Sequence, residues 1–285
     1  MNRRVFLGGA SALLAVGAAR SAETIAPEVE VRAEDLRIQR LSWAGLKLEL
    51  GEQTVLLDAW TSAGIWDGAW RDPVVDVEVS TRARLAAITH LHNDHFDQEL
   101  LRKVLAERGS VLCAKEIATT VASRGFRVLP LDLYQPYIFG DFTITPVPAS
   151  DGTGEVQVSW VVSGGGRRIF HGGDTVWHGH WWRIGRQLGP FDLAFLPING
   201  VMLPKLLPPS GIPASLTPEQ AVGAAVALGA AVACPMHYGV TDPTSYVEYP
   251  EAEATFLAAA RKRGVAVALS RPGERVTWSS PTARR

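Results

Sequence analysis

Cysteine is scarce in this chain: Cys113 and Cys234 are the only two in 285 residues. A disulfide framework and a cysteine-rich zinc module are therefore excluded. Both lie in apolar, strand-like text, Val111-Leu112-Cys113-Ala114 and Ala231-Val232-Ala233-Cys234, and read as buried inert thiols rather than as a disulfide pair. Excess charge is lacking too, and a formal net charge of -1 gives no reason to expect nucleic acid as a partner. No apolar run reaches the roughly 18 residues a stable membrane span needs. The candidate at 8–19 is short and rich in Gly and Ala, so a mature chain has no span. No repeat of short fixed period is visible. What is abundant is apolar content, 47% of the residues, enough for a large core in one compact domain.

Chemistry concentrates in one stretch. Thr89-His90-Leu91-His92-Asn93-Asp94-His95-Phe96-Asp97 holds three of the chain's seven histidines. It follows the apolar run Leu85-Ala86-Ala87-Ile88, which reads as a buried strand. In an extended segment alternate residues share a face, so His90 and His92 are expected to point the same way and to reach one ion. Beyond Asn93, Leu100, Leu101, Val104 and Leu105 fall at helical spacing, which predicts a helix over 97–108 and leaves Asp94 and His95 in the turn. Neutral imidazole nitrogen and carboxylate oxygen are the donors that zinc and similar divalent ions accept, at about 2.0–2.2 Å. The stretch is a candidate metal site.

Two meanders flank an alternation of helices and strands. The first comprises 36–41, 46–50 and 54–58, with a hairpin turn at Gly51-Glu52-Gln53; the second comprises 137–139, 142–148, 156–162 and 167–171. Between them the pattern predicts a strand at Val111, a helix near 117–123 and a strand at 126–129. After them come a strand at 191–198, a helix starting at Thr217-Pro218-Glu219-Gln220, a strand at 231–236, a helix over 250–263, and closing strands at 265–269 and 274–278. Helices outside a sheet make this an α/β chain. The irregular segment 60–84 carries Trp60, Trp66 and Trp70, which either line a cleft or pack as the loop's own small core. The segment 201–213 is apolar but broken by prolines, as expected of a lid over an apolar substrate or of a contact with a second subunit. His171 reads as packed or supporting. His178 and His180 are candidates for contact with substrate or for proton transfer, and Asn199 for a hydrogen bond at the cleft.

The pattern His-x-His-x-Asp-His at 90–95, after an apolar strand, resembles the signature of the metallo-β-lactamase superfamily. The resemblance extends over about 36–278. It implies a single-domain, four-layer αβ/βα sandwich with a one- or two-metal site where two sheets meet. It also implies further ligands: Asp174, in Gly173-Asp174-Thr175, as a carboxylate touching both metals, and His237, at a strand end, as the last histidine. Asp58 matches an aspartate that orders the ligand loop by hydrogen bonds without ligating. Where relatives commonly show Val-Pro-Ala-x-His, this chain reads Val147-Pro148-Ala149-Ser150-Asp151. Asp151 then either replaces the histidine as ligand or only caps the turn that follows.

On this reading His90, His92 and Asp151 hold one ion and Asp94, His95 and His237 the other. Zinc is the default, two ions are expected, and manganese or iron also suits a donor set rich in oxygen. A hydroxide between such ions would attack a phosphodiester, lactone or related ester, with Asp94 orienting it and taking its proton. The wording Pro235-Met236-His237-Tyr238-Gly239 resembles the lactonase and phosphodiesterase branch and adds Tyr238 to the substrate-binding candidates. The alternative is a non-catalytic metal-binding or redox member of the same fold, since the usual third histidine is replaced at Asp151. The expected partner is a small-molecule or lipid-like substrate, with a homo-oligomer also in view. Finally, Arg3-Arg4 ahead of Phe6-Leu7 looks like a twin-arginine signal occupying 1–22, ahead of a domain at 33–280. Such signals export folded proteins, so a periplasmic or otherwise exported enzyme is expected.

Overall fold

The computed structural model describes residues 36–62, 69–79, 83–105, 109–240 and 242–278. The export-signal segment at 1–22 and Trp66 lie outside the described residues. The first sheet runs in spatial order β1 (Arg37–Arg40), β2 (Leu46–Leu50), β3 (Gln53–Leu57), β4 (Ala83–Ala87), β5 (Ser110–Ala114) and β6 (Val128–Leu131). Its first three strands are an antiparallel meander, and β3 to β6 pair in parallel. The second sheet contains β7 (Tyr137–Phe139), β8 (Phe142–Pro148), β9 (Val158–Gly164), β10 (Arg167–His171), β11 (Phe191–Pro197), β12 (Ala230–Met236) and β13 (Ala266–Val267), also in sequential order. It repeats the plan, antiparallel from β7 to β10 and parallel from β10 to β13.

Parallel neighbours need crossovers, and helices supply those that follow β4, β5, β10, β11 and β12. Helices α1 (Gln98–Leu105) and α2 (Ala118–Ser123) pack on the first sheet; α3 (Trp181–Leu188), α4 (Pro218–Leu228) and α5 (Ala252–Arg263) form a layer on the second. The period-2 pattern of the strands sorts the core. Leu193 and Phe195 of β11 and Val232 and Cys234 of β12 join the core between the sheets, whereas Ala194, Leu196 and Ala233 join the core beneath α3 to α5. This is the expected four-layer α/β sandwich. Among the described residues no helix is long and apolar enough to cross a membrane.

Local chemistry explains the ends. Thr217 and Gln220 form a reciprocal capping box with Pro218 in the first turn, and Gly229 closes α4 in the left-handed conformation. Asp97 accepts from the backbone of Leu100 at 3.0 Å to start α1 and from the backbone of Thr61 at 2.9 Å, tying the loop after β3 to the helix. Trp60 is fully buried, and Trp70 packs edge-on against Trp60 and Trp43 with ring centroids 6.1 and 5.4 Å away. These two indoles belong to the core. The predicted strand at 274–278 does not form. The segment instead makes one bridge, Arg275 to Gln39, with Arg40 N–Glu274 O and Val276 N–Ile38 O bonds at 2.9 and 2.8 Å. It covers the free edge of β1 rather than extending a sheet. The strand predicted at 126–129 lies two residues later, and both cysteines are free and buried as read from the sequence.

Candidate metal centre

The site lies at the strand ends where the sheets meet. β4 stops at Ala87, and the chain then bends through Thr89, His90 and Leu91 and turns at 93–95. His90 and His92 therefore converge through a folded loop rather than through the pleat of an extended strand, their Nε2 and Nδ1 atoms 2.8 Å apart. Asp58, at the end of β3, organises this loop. It accepts from Thr89 N at 2.8 Å and Thr89 Oγ1 at 2.7 Å, and lies 2.8 Å from His95 Nδ1. The Thr89 hydroxyl, committed as a donor to Asp58, can accept from His90 Nδ1 at 2.9 Å. One buried carboxylate thereby sets the tautomer of two imidazoles, leaving Nε2 of His90 and of His95 as lone-pair donors.

Two groups of donor atoms result, each with every atom within 4.8 Å of the others: His90, His92, Asp151 and Asp174 in one, and Asp94, His95 and His237 in the other. Asp174 Oδ2 lies 3.6 Å from His90 Nε2, 4.0 Å from His92 Nδ1, and 4.0 Å from Nε2 of both His95 and His237. It thus faces both groups. Asp94 Oδ2 is 3.7 Å from His95 Nε2 and 4.0 Å from His237 Nε2. Asp151 closes the turn and also stands among the donor atoms of the first group. Oδ1 accepts from the backbones of Thr153 and Glu155 at 2.6 and 3.1 Å, closing the turn, while Oδ2 lies 3.9 Å from His92 Nδ1.

Glycines let backbone approach closely at two points. A Cβ on Gly173, whose φ is +66°, would lie 3.0 Å from Thr89 Cγ2, and one on Gly152 would lie 2.1 Å from the carbonyl oxygen of Ala214. The first keeps Asp174 against the ligand loop. The second seats the root of the 201–213 loop beside Asp151.

The electrostatics fit a cation. Burial pushes His95 down, but the carboxylates of Asp94, Asp58 and Asp174 outweigh it and raise its pKa to about 10. Burial, with the imidazoles of His95 and His92, lowers His90 to about 3. Burial raises Asp174 to about 6 against the opposing pull of His95. Asp174 Oδ1 is buried without a hydrogen-bond partner among the described residues. Imidazole nitrogens and carboxylate oxygens in this arrangement match the chemistry of a divalent ion.

The remaining candidates sit further out. His171 is buried with Nε2 donating to the carbonyl of Ala44 at 2.8 Å, outside both groups. His178 stacks on Trp181 with ring centroids 4.1 Å apart and accepts at Nδ1 from the backbone of His180. Neither His178 nor His180 belongs to the donor groups. Asn199 is buried, donating to the Tyr246 hydroxyl at 2.8 Å and accepting from Ser215, so it orders a tyrosine rather than presenting its amide to a cleft. Tyr238 donates to Glu253 at 2.7 Å under the guanidinium of Arg40. Tyr238 and Tyr246 line a cavity of about 530 Å³ with Arg71, Glu248 and Arg271. Of the exposed apolar side chains, Leu206, Leu207 and Ile212 come from the proline-broken loop.

Sequence reasoning missed Trp43, Thr89 and Tyr246. Trp43 donates its indole N–H to Asp94 Oδ2 at 3.0 Å. A tryptophan in the short turn between β1 and β2, where small polar residues are usual, was the available signal.

A family model described as a beta-lactamase superfamily domain matches residues 53–238. A UPF0173 metal-dependent hydrolase from Thermus thermophilus is 32% identical over 235 residues, covering 79% of this chain and 95% of that protein. Among solved structures, Igni18, a metallo hydrolase from Ignicoccus hospitalis, aligns with a TM-score of 0.64 at 20% identity, covering 86% of this chain and 98% of its own. CmlA, a diiron beta-hydroxylase from Streptomyces venezuelae, aligns at 0.67 and 17% identity, covering 86% of this chain and 54% of that enzyme. At these identities the two structures share the fold with this chain. The sequence signature, the two-sheet architecture and the family match agree, and the chain belongs to the metallo-β-lactamase superfamily.

Proposed function

We propose that the protein is a metal-dependent hydrolase holding two divalent ions, zinc by default, and acting on a phosphodiester, lactone or related ester. One observation carries the reading: Asp174 Oδ2 lies within 4.0 Å of nitrogen donors from both groups. His90, His92 and Asp151 would hold one ion, Asp94, His95 and His237 the other, and Asp174 both. Such ions supply water acidified toward a pKa of roughly 7 and positive charge against a developing oxyanion. Asp94, Asp151 and Asp174 would offset three of the four positive charges that two divalent ions bring.

The chain's own residues do the rest. Asp58, through Thr89 and directly, keeps the lone pairs of His90 and His95 facing inward. Asp94 stands at the second group as the acceptor for the nucleophile's proton. The exposed Leu206, Leu207 and Ile212, on a loop rooted beside Asp151, support an apolar or lipid-like substituent on the substrate. The CmlA likeness is one of fold and does not favour redox chemistry here. Export through the Arg3-Arg4 segment is part of the same proposal and rests on the sequence.

Elemental analysis of purified protein, with hydrolysis of bis(p-nitrophenyl) phosphate and of a simple lactone, tests the reading. Two ions per chain, falling to one in Asp151→Ala, and turnover largely lost in Asp94→Asn are expected. One ion or none in the wild type would remove the two-ion mechanism, and wild-type rates in metal-replete Asp94→Asn would remove Asp94 from it.

A further inference from the structure

Trp43 is buried completely, in the turn that joins β1 to β2, with its backbone at φ +56°. That left-handed conformation is uncommon for a residue carrying a side chain. The surroundings hold it there from several directions. Leu41 N bonds Gly45 O at 2.8 Å and Gly45 N bonds Ser42 O at 2.9 Å, closing the turn. The carbonyl of Trp43 accepts from Arg40 Nη2 at 3.0 Å and from the backbone of His237 at 3.3 Å, while Arg40 Nη1 donates to Pro235 O at 2.6 Å. Its ring lies 4.1 Å from the His237 ring, tilted by 45°, and 5.4 Å edge-on from Trp70. The indole N–H then reaches Asp94 Oδ2 at 3.0 Å, the same oxygen that faces His95 and His237.

We propose that Trp43 is a positioning residue for the second metal group, fixing the Asp94 carboxylate by its indole N–H and the His237 ring by contact. A carboxylate is free to rotate about its last bond, and an unheld Asp94 would present either oxygen, or neither, to the ion. An N–H donated to the oxygen that faces the ion removes that freedom without competing for ligation, since indole has no lone pair to offer a metal. The same residue touches two of the three donors of this group, and among the described residues no hydrogen bond or ring contact joins it to His90, His92 or Asp151. Its effect is therefore selective for the second ion. The inference rests on the two-ion reading above.

The test is a titration of cobalt(II) into metal-free wild type, Trp43→Phe, Asp94→Ala and the double variant, reading the visible absorption and the ions bound per chain, with thermal unfolding of each. Phenylalanine keeps a ring against His237 but has no N–H. Trp43→Phe is expected to bind the first ion with wild-type affinity and the second roughly 10- to 100-fold more weakly. In the Asp94→Ala background it is expected to add little. Two ions held as tightly by Trp43→Phe as by wild type would overturn the inference alone, as would an equal loss with Asp94 absent, which marks a packing effect. Fewer than two ions in the wild type would overturn the two-ion reading and this inference with it. Should Trp43→Phe not fold, NMR of the assigned Trp43 indole N–H decides: a downfield, exchange-protected resonance that loses both features in Asp94→Ala supports the role, and an unmoved one overturns it.

Discussion

Asp58→Asn is the most informative single change, because one nearly isosteric substitution is expected to weaken both ions. The native carboxylate is 1% exposed and accepts at Oδ1 from Thr89 N, and at Oδ2 from Thr89 Oγ1 with His95 Nδ1 beside it. Burial alone would raise its pKa, but His95 brings it down to about 2, so it is ionised at neutral pH. Asparagine can keep its oxygen on Thr89 N, which puts an NH₂ group where Oδ2 was. The Thr89 hydroxyl must then reverse, accept from that amide and donate to His90 Nδ1. Likewise His95 must give up the proton on Nδ1. Both rings move a proton onto Nε2, the atom that faces the other donors of its group, so one histidine in each donor group is blocked.

Loss of such an outer partner typically costs 10- to 100-fold in metal affinity, or about 1.4 to 2.7 kcal/mol per ion. The fold exchanges three charge-assisted hydrogen bonds for neutral ones, about 1 kcal/mol each, against a typical stability of about 5–15 kcal/mol. The metal-free variant should therefore fold, melting roughly 6–12 °C lower. Calorimetric zinc titration and thermal melts of metal-free wild type and Asp58→Asn read both quantities. Both ions bound with wild-type affinity by a folded Asp58→Asn would refute the tautomer argument.

Gly152→Ala tests the close approach at Ala214: its Cβ would meet a carbonyl oxygen at 2.1 Å, so one loop must move and Asp151 with it. A loss of about 1–3 kcal/mol is expected, with weakened binding at the His90, His92 and Asp151 group, and unchanged melting and metal content would refute it. The two thiols provide a pH-related check. Burial pushes Cys113 up to about 12 and Cys234 further, so at pH 8 both remain protonated and unreactive. Ellman's reagent should release no rapid colour from the native protein and two equivalents after denaturation; fast release from the native protein would contradict this.

Much of the fold was legible because its signals are local. Leu100, Leu101, Val104 and Leu105 of α1 repeat at helical spacing and are buried together, and Thr217 with Gln220 announces α4 by chemistry contained in one turn. The failures are also physical. At 274–278 the residues suit a strand, but whether they pair as a ladder depends on what lies across from them, and the edge of β1 takes them singly. The two indoles Trp60 and Trp70 could face a cleft or a core by composition alone, and the packing of Trp43 against Trp70 decided for the core.

The sequence by itself determined the chemistry of the centre. The cluster at 90–95, with Asp174 and His237 at later strand ends, supplies imidazole and carboxylate donors in an order the family signature identifies, and Asp151 stands where that signature has a histidine. Only the tertiary structure decided how those donors are aimed. Asp151 divides its two oxygens between a turn and His92, Asp58 reaches His95 directly and His90 through Thr89, and Trp43 donates to Asp94 across 51 positions of sequence. Residue type and periodicity are properties of short segments, whereas the direction of a lone pair or of an N–H depends on partners brought together by the packing of two sheets.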